Sequence, residues 1–243
     1  MSWVALLLIG IGITDLVHSL RHRPLLPECV GAAALVAVAL LGGLTHLRDL
    51  GAVAVLVVVT LAWGRTVTRG FGRNRPAVPL TLLAIALATA VLCSPWAGSA
   101  RGPLQDWLDH ASLPVLQGIS ADRLLLVTGA ALVQLSTGNV VVRLVLSATH
   151  TISPMRQDTP SGPEQELKGG RLLGPMERLV IFGCGLGGAL TAAGVVIAAK
   201  GLLRFPELQS RRGEDRIHLL TEYFLVGSFV SWLVALGALV VVQ

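Results

Sequence analysis

Three carboxylates stand where water is scarce. Asp15, Glu177 and Glu222 each lie inside or at the edge of a long apolar stretch. A carboxyl group in such a setting pairs with a base, binds a cation, or holds a proton for an acid step. The bases that could meet them are few. Lys200 and Arg204 are four residues apart on one helical face, Tyr223 follows Glu222, and Arg178 follows Glu177, with Arg171 about two turns earlier. Ser136, Asn139, Arg143 and Ser147 fall at i, i+3, i+7 and i+11, a polar stripe along one helix.

Depth suggests partners. For two antiparallel helices joined through 205–216, Lys200 and Glu222 fall at similar depth, about 6–8 Å from the turn at 1.5 Å per residue. A buried Lys200–Glu222 ion pair is therefore expected, with Arg204 as second donor. Its plain use is a clasp between the last two helices; its sharper use is a proton or cation site at Glu222. Arg143 has no acidic neighbour on its own helix, so Asp15 or Glu177 is its expected partner. The alternative is that Arg143 snorkels to the head groups and Glu177 sits in the interface.

Other constellations are weaker. Asp15-Leu-Val-His18 and His46-Leu-Arg-Asp49 could each supply two metal ligands, but neither makes a site alone. No metal and no cofactor is expected. Phosphate-binding glycine loops, a Gly-x-Ser-x-Gly elbow and a His-Glu-x-x-His zinc helix do not occur. Asp106, Asp109 and His110 read as the solvated face of a short helix rather than a catalytic group. Gln134-Leu-Ser-Thr-Gly-Asn139, the most polar stretch inside any helix, reads as interhelical hydrogen bonding. Cys29, Cys93 and Cys184 lie far apart in apolar stretches and read as small hydrophobes.

The elements that must position these residues follow from composition. Of 243 residues, 53% are hydrophobic and 14% charged, and mean hydropathy is +0.72. Soluble domains carry about 25% charged residues, which excludes an ordinary soluble enzyme. The expected fold is all-α: a polytopic transmembrane helix bundle forming one integral-membrane domain over 1–243. A span needs about 20 mostly apolar residues, which gives about seven spanning helices near 2–19, 28–45, 50–67, 78–96, 122–147, 173–201 and 217–241. Leu104, Trp107, Leu108, Ala111 and Val115 recur at helical spacing and suggest an interfacial helix over 103–117. The segment 151–171, with three prolines and mixed charge, is expected to be a flexible loop.

Charge suggests sidedness. Arg21 and Arg23 follow the first apolar run rather than preceding it, so the N-terminus is expected outside a cell (inner) membrane. Arg65, Arg69, Arg73, Arg75, Arg156, Lys168 and Arg171 then fall on the cytoplasmic side. The 202–216 connection breaks this bias by placing Arg204, Arg211, Arg212 and Arg216 outside. One long tilted helix over 173–201 is preferred to a re-entrant one, although about 43 Å of helix exceeds a core of about 30 Å. Gly183, Gly185, Gly187 and Gly188 mark where a break would fall. The basic balance suits anionic lipid rather than nucleic acid. Gly170-x-x-x-Gly174, Gly183-x-x-x-Gly187 and Gly227-x-x-x-Ser231 mark faces for close helix approach.

Three elements of the C-terminal third, Gly169-Gly-Arg-Leu-Leu-Gly-Pro-Met-Glu-Arg178, Ala198-Ala-Lys-Gly-Leu-Leu-Arg-Phe205 and Glu222-Tyr-Phe-Leu-Val-Gly-Ser-Phe-Val-Ser231, resemble in order those of a family of small bacterial membrane proteins of unknown function. The resemblance covers about 168–240. It implies only that Arg171, Glu177, Arg178, Lys200, Arg204, Glu222 and Tyr223 belong together. Asp15 departs from that pattern, since Leu16 follows it and no His precedes it.

Three functions fit. The first is a non-enzymatic scaffold or partner-binding component whose buried charges are clasps, with membrane lipids and a protein or lipophilic small molecule as partners. The second is a membrane-embedded enzyme on a lipid or isoprenoid, with Glu177, Asp15 or Glu222 as the proton donor of a terpene-cyclase-like reaction; eleven aromatic residues are few for the walls of a carbocation cage. The third is a small proton-coupled transporter, which the lack of repeats weakens.

Overall fold

The computed structural model of the chain describes residues 1–20, 25–72, 75–111, 114–149, 151, 170–209 and 214–243. These are all-helical, without strands among the described residues. The helices are α1 (Ser2–Leu20), α2 (Leu26–Leu41), α3 (Leu47–Gly72), α4 (Ala77–Leu92), α5 (Pro103–His110), α6 (Ala121–Leu132), α7 (Gly138–Ala148), α8 (Gly170–Leu186), α9 (Leu190–Gln209) and α10 (Glu214–Val242). A π-helical turn, Val133–Thr137, joins α6 to α7 without interruption. Four stretches are long and apolar enough to cross a membrane: Ser2–Leu20, Leu47–Gly72, Ala121–Ala148 and Thr221–Val242.

The N-terminal helix is the hub. Every residue from Val4 to Gly12 is buried, as expected of a helix that is apolar on all sides. Around it pack α2, α3, α4 and the α6 to π-turn segment. Gly31 of α2 lies against Thr14 and the Gly10 carbonyl, leaving no room for a Cβ. Gly129 of α6 meets Ala5, Leu8 and Ile9, and Gly12 meets Leu132, so α1 and α6 run parallel.

One end of the bundle is closed by backbone. Ser2 Oγ donates to the Gly98 carbonyl at 2.7 Å, and Gly102 N donates to the Gly42 carbonyl at 3.1 Å. Ala100 N donates to both Asp122 oxygens at 3.2 Å. The start of α1, the α2–α3 connection, the segment after α4 and the start of α6 therefore share one end, called here the Trp3 end. Pro95 lies in the 3-10 turn Ser94–Trp96 that terminates α4. Ser120 caps α6, accepting from Arg123 N. The short α5 follows, with Leu108 buried and Trp107 exposed.

The expected single helix over 173–201 is corrected. The chain breaks at Gly187–Ala189, where Gly188 takes φ +74°. Glycine alone adopts that conformation without cost. The α9 helix turns back there, and Ala193 and Ile197 pack with Ile181, Cys184, Trp232 and Ala235. Gly185 meets Leu239 while Glu177 meets Trp232, so α8 and α10 run parallel and α9 returns between them. The loop expected over 151–171 lies, from 152 to 169, outside the described residues. Of the three cysteines, Cys29 is exposed on the outer surface of α2 rather than packed, and all three are free thiols.

Gly188→Ala is expected to destabilise the protein by about 1–2 kcal/mol, the cost of a left-handed non-glycine residue. Gly183→Ala, with open space around its Cβ position, should leave the melting temperature in detergent unchanged or slightly raised. Equal melting temperatures for the two variants would refute the turn.

Candidate functional site

The polar interior is built on tryptophan. The Trp63 indole of α3 points its N–H between both oxygens of Asp15, at 3.1 and 3.2 Å. Trp3 Nε1 donates to Asp49 Oδ1 at 2.9 Å, and the Gly98 N–H reaches the same oxygen at 3.1 Å. Trp232 Nε1 of α10 donates to Glu177 Oε1 of α8 at 2.7 Å. Three of the five tryptophans thus each tie a buried carboxylate to another part of the chain. An indole combines a large apolar body with one N–H donor, so it satisfies a carboxylate oxygen while adding no second charge.

The π turn organises the other half of the site. Its i→i+5 bonding displaces the backbone ladder, and the Gln134 carbonyl receives Arg178 Nε at 3.0 Å. Arg178 Nη1 donates to Ser231 Oγ at 3.1 Å, and Nη2 to Asn139 Oδ1 at 2.7 Å. This guanidinium is 1% exposed, and it fastens the π turn, α7, α8 and α10 to one point. Gly138 makes the seat, since a Cβ there would come within 2.5 Å of Arg178 Nε. Ser136 Oγ donates to the Gly12 carbonyl at 2.8 Å, joining the π turn to α1. The Thr137 side chain flanks the Asp15 carboxylate, although its buried hydroxyl makes no fully aligned hydrogen bond.

Of the residues singled out from the sequence, Asp15, Asn139, Glu177 and Arg178 lie in this interior. Arg178 and Asn139 are in direct contact. Two expectations are corrected. Asp15 is met by Trp63 and Thr137 and not by Arg143, which is exposed with its guanidinium 5.2 Å from the centre of the Phe71 ring. That stacking lets the arginine stay near the bundle end while its charge remains accessible to water. Glu222, expected in a buried ion pair, is exposed and accepts from Thr151 Oγ1 at 3.5 Å. The reason is its height: it lies level with the residues just beyond the end of α7, at the rim of the bundle. Tyr223 beside it is half-buried. The side chains of Arg171, Lys200 and Arg204 lie outside the described residues.

Asp106, Asp109 and His110 are exposed; Gln105 Nε2 donates to Asp109, and His110 Nδ1 contacts the Asp106 carbonyl at 2.7 Å. Among the described residues no three His, Cys, Asp or Glu side chains gather as a metal site. The small-residue faces divide: Gly227 is in van der Waals contact with Val142 and Leu146, whereas the Cβ position of Gly183 opens to empty space.

Sequence reasoning missed Glu28. It lies in the first turn of α2, only 6% exposed, with Oε2 buried and without a hydrogen-bond partner. It lies flat on α3 because position 64 is glycine; a Cβ there would fall 2.5 Å from Glu28 Cγ and 3.0 Å from Oε1. The signal was a lone carboxylate at the head of an apolar run. No family model matches the sequence, and neither the curated proteins nor the solved structures hold a match to it.

Arg178→Lys should melt nearly as low as Arg178→Met, because one ammonium cannot serve three acceptors spread over a planar fork. The expected loss is about 3 kcal/mol or more for charge-assisted bonds. Trp232→Phe, which removes one donor, should cost about 1–3 kcal/mol. Thermal unfolding in detergent micelles checks both, and a Lys variant as stable as the parent protein would contradict the assignment.

Proposed function

We propose that this chain is an integral protein of a bacterial cell membrane and acts as a non-enzymatic scaffold for a protein or lipophilic partner. The observation that carries the reading is the use made of the buried polar groups. Asp15, Asp49 and Glu177 receive indole N–H bonds, Asp122 receives a backbone N–H, and Arg178 is held by three acceptors. Groups held this way fix helices to one another; a reacting acid needs a free proton and a substrate beside it. A terpene-cyclase-like site would also want aromatic faces around a cation. Here the indoles offer their N–H edges to anions. The resemblance of residues 168–240 to small bacterial membrane proteins accords with this reading.

Eight crossings, rather than seven, fit the helix directions: α1, α2, α3, α4, the α6–α7 unit, α8, α9 and α10. The turn at Gly188 supports this count, because it brings the α9–α10 connection to the end opposite Trp3. Arg204, Arg211, Arg212 and Arg216 then join Arg21, Arg23, Arg65, Arg69, Arg73, Arg75, Arg156, Lys168 and Arg171 on connections at that end, whereas Arg48, Arg101 and Arg123 belong to the Trp3 end. Such an imbalance marks the cytoplasmic side. Both termini are then outside, and the exposed Trp96 and Trp107 sit where an interfacial aromatic belt would lie.

Two measurements test this. Single cysteines introduced into 156–166 and into 210–213 of a background lacking Cys29, Cys93 and Cys184 should both be shielded from an impermeant thiol reagent in intact cells. Labelling of one but not the other would overturn the eight-crossing topology. In a strain with a growth defect on deletion, Glu177→Gln and Asp49→Asn should complement in proportion to their folded abundance. A variant folded at full abundance yet inactive would instead favour catalysis.

A further inference from the structure

The scaffold reading leaves one place unaccounted for. Asp15 of α1 and Glu28 of α2 both rest on the same turn of α3, one against Trp63 and the other against Gly64. The helices α1 and α2 are antiparallel and in closest contact where Thr14 meets Gly31. Glu28 stands one turn before that contact and Asp15 one residue after it, so the two carboxylates fall at neighbouring depths. Both are 6% exposed. Among the described residues no Lys, Arg or His makes an ion pair with either, and the donors that reach Asp15 are neutral. Two further features point to a ligand: Glu28 Oε2 and the Thr137 hydroxyl are both buried without a partner, and Thr137 flanks the Asp15 carboxylate.

We infer that Asp15, Glu28 and Thr137 form a binding site for a small cation, with the Trp63 N–H setting the orientation of the Asp15 carboxylate. The physical ground is neutrality: anionic oxygens held in the apolar layer without a cationic side chain need positive charge from elsewhere. Oxygen donors of this kind take hard cations. An alkali metal ion and a proton share that chemistry, and both fit a place with no thiol or imidazole ligand in contact. The titratable groups nearest the site on each packed element are His18, one turn further along α1, and the exposed Arg65 of α3. From the other side come Arg143, stacked on Phe71, and Arg178, held by its three acceptors.

The test uses the full chain purified in a neutral detergent. Its melting temperature is followed in sodium, lithium or potassium chloride against choline chloride at fixed pH, and then across neutral pH in choline chloride alone. A rise with one alkali ion identifies a metal site; a rise only on acidification identifies a proton site. In either case Asp15→Asn and Glu28→Gln should weaken the apparent affinity about tenfold or abolish the response, and Thr137→Val should weaken it about threefold, near 0.65 kcal/mol. Should the carboxylate variants not fold, the Thr137→Val shift decides alone. The inference is overturned if the parent protein responds to neither, or if the variants respond as it does. The scaffold reading rests on complementation and stands or falls independently.

Discussion

A guanidinium with almost no surface in water must be given acceptors by the protein, and Arg178 obtains them from four parts of the chain at once. A straight α-helix uses its carbonyls within its own ladder, so a buried arginine beside one finds little to bond. The π turn at Val133–Thr137 changes that by presenting the Gln134 carbonyl sideways. Asn139 one turn later and Ser231 on the last helix complete the fork. The same turn points Ser136 at the Gly12 carbonyl of the central helix. One local departure from α geometry thus serves both the arginine on one side and the hub helix on the other.

The carboxylates are handled by a different chemistry. In a low-dielectric interior an ion pair gains Coulomb energy but pays twice for desolvation. A tryptophan donor avoids the second penalty and brings apolar area to the contact. That choice recurs at three levels of the bundle: Trp3 with Asp49 at one end, Trp63 with Asp15 deeper, and Trp232 with Glu177 in the C-terminal half. Each joins segments far apart in sequence, so the polar contacts specify which helices are neighbours while the apolar faces supply the bulk of the packing.

The helical architecture was largely legible because uninterrupted apolar blocks have few other solutions in lipid. Asp15, Asn139, Glu177 and Arg178 were legible as interior polar groups because charge inside such blocks is rare. Their partners were not. Tryptophan reads as apolar or interfacial, and which indole N–H meets which acid is decided only by the three-dimensional packing. The π turn was hidden because Val-Gln-Leu-Ser-Thr has ordinary helical character. The break near residue 188 was masked by its neighbours: four glycines lie within six residues, and only the last takes a left-handed conformation. Glu222 was misjudged because depth was counted from an assumed turn, whereas its helix begins earlier and places it at the rim.

The widened turn before Gly138 also sets the rotational phase of everything after it. At 3.6 residues per turn, each residue advances the helix by about 100°, and a π turn holds one residue more than an α turn over the same rise. Loss of a single amino acid between positions 133 and 137 would let the segment relax to a regular helix. It would also swing Asn139 and the rest of the following helix by roughly a quarter turn relative to the hub. Within this short window the protein is therefore intolerant of a change in chain length, even one that preserves every apolar residue.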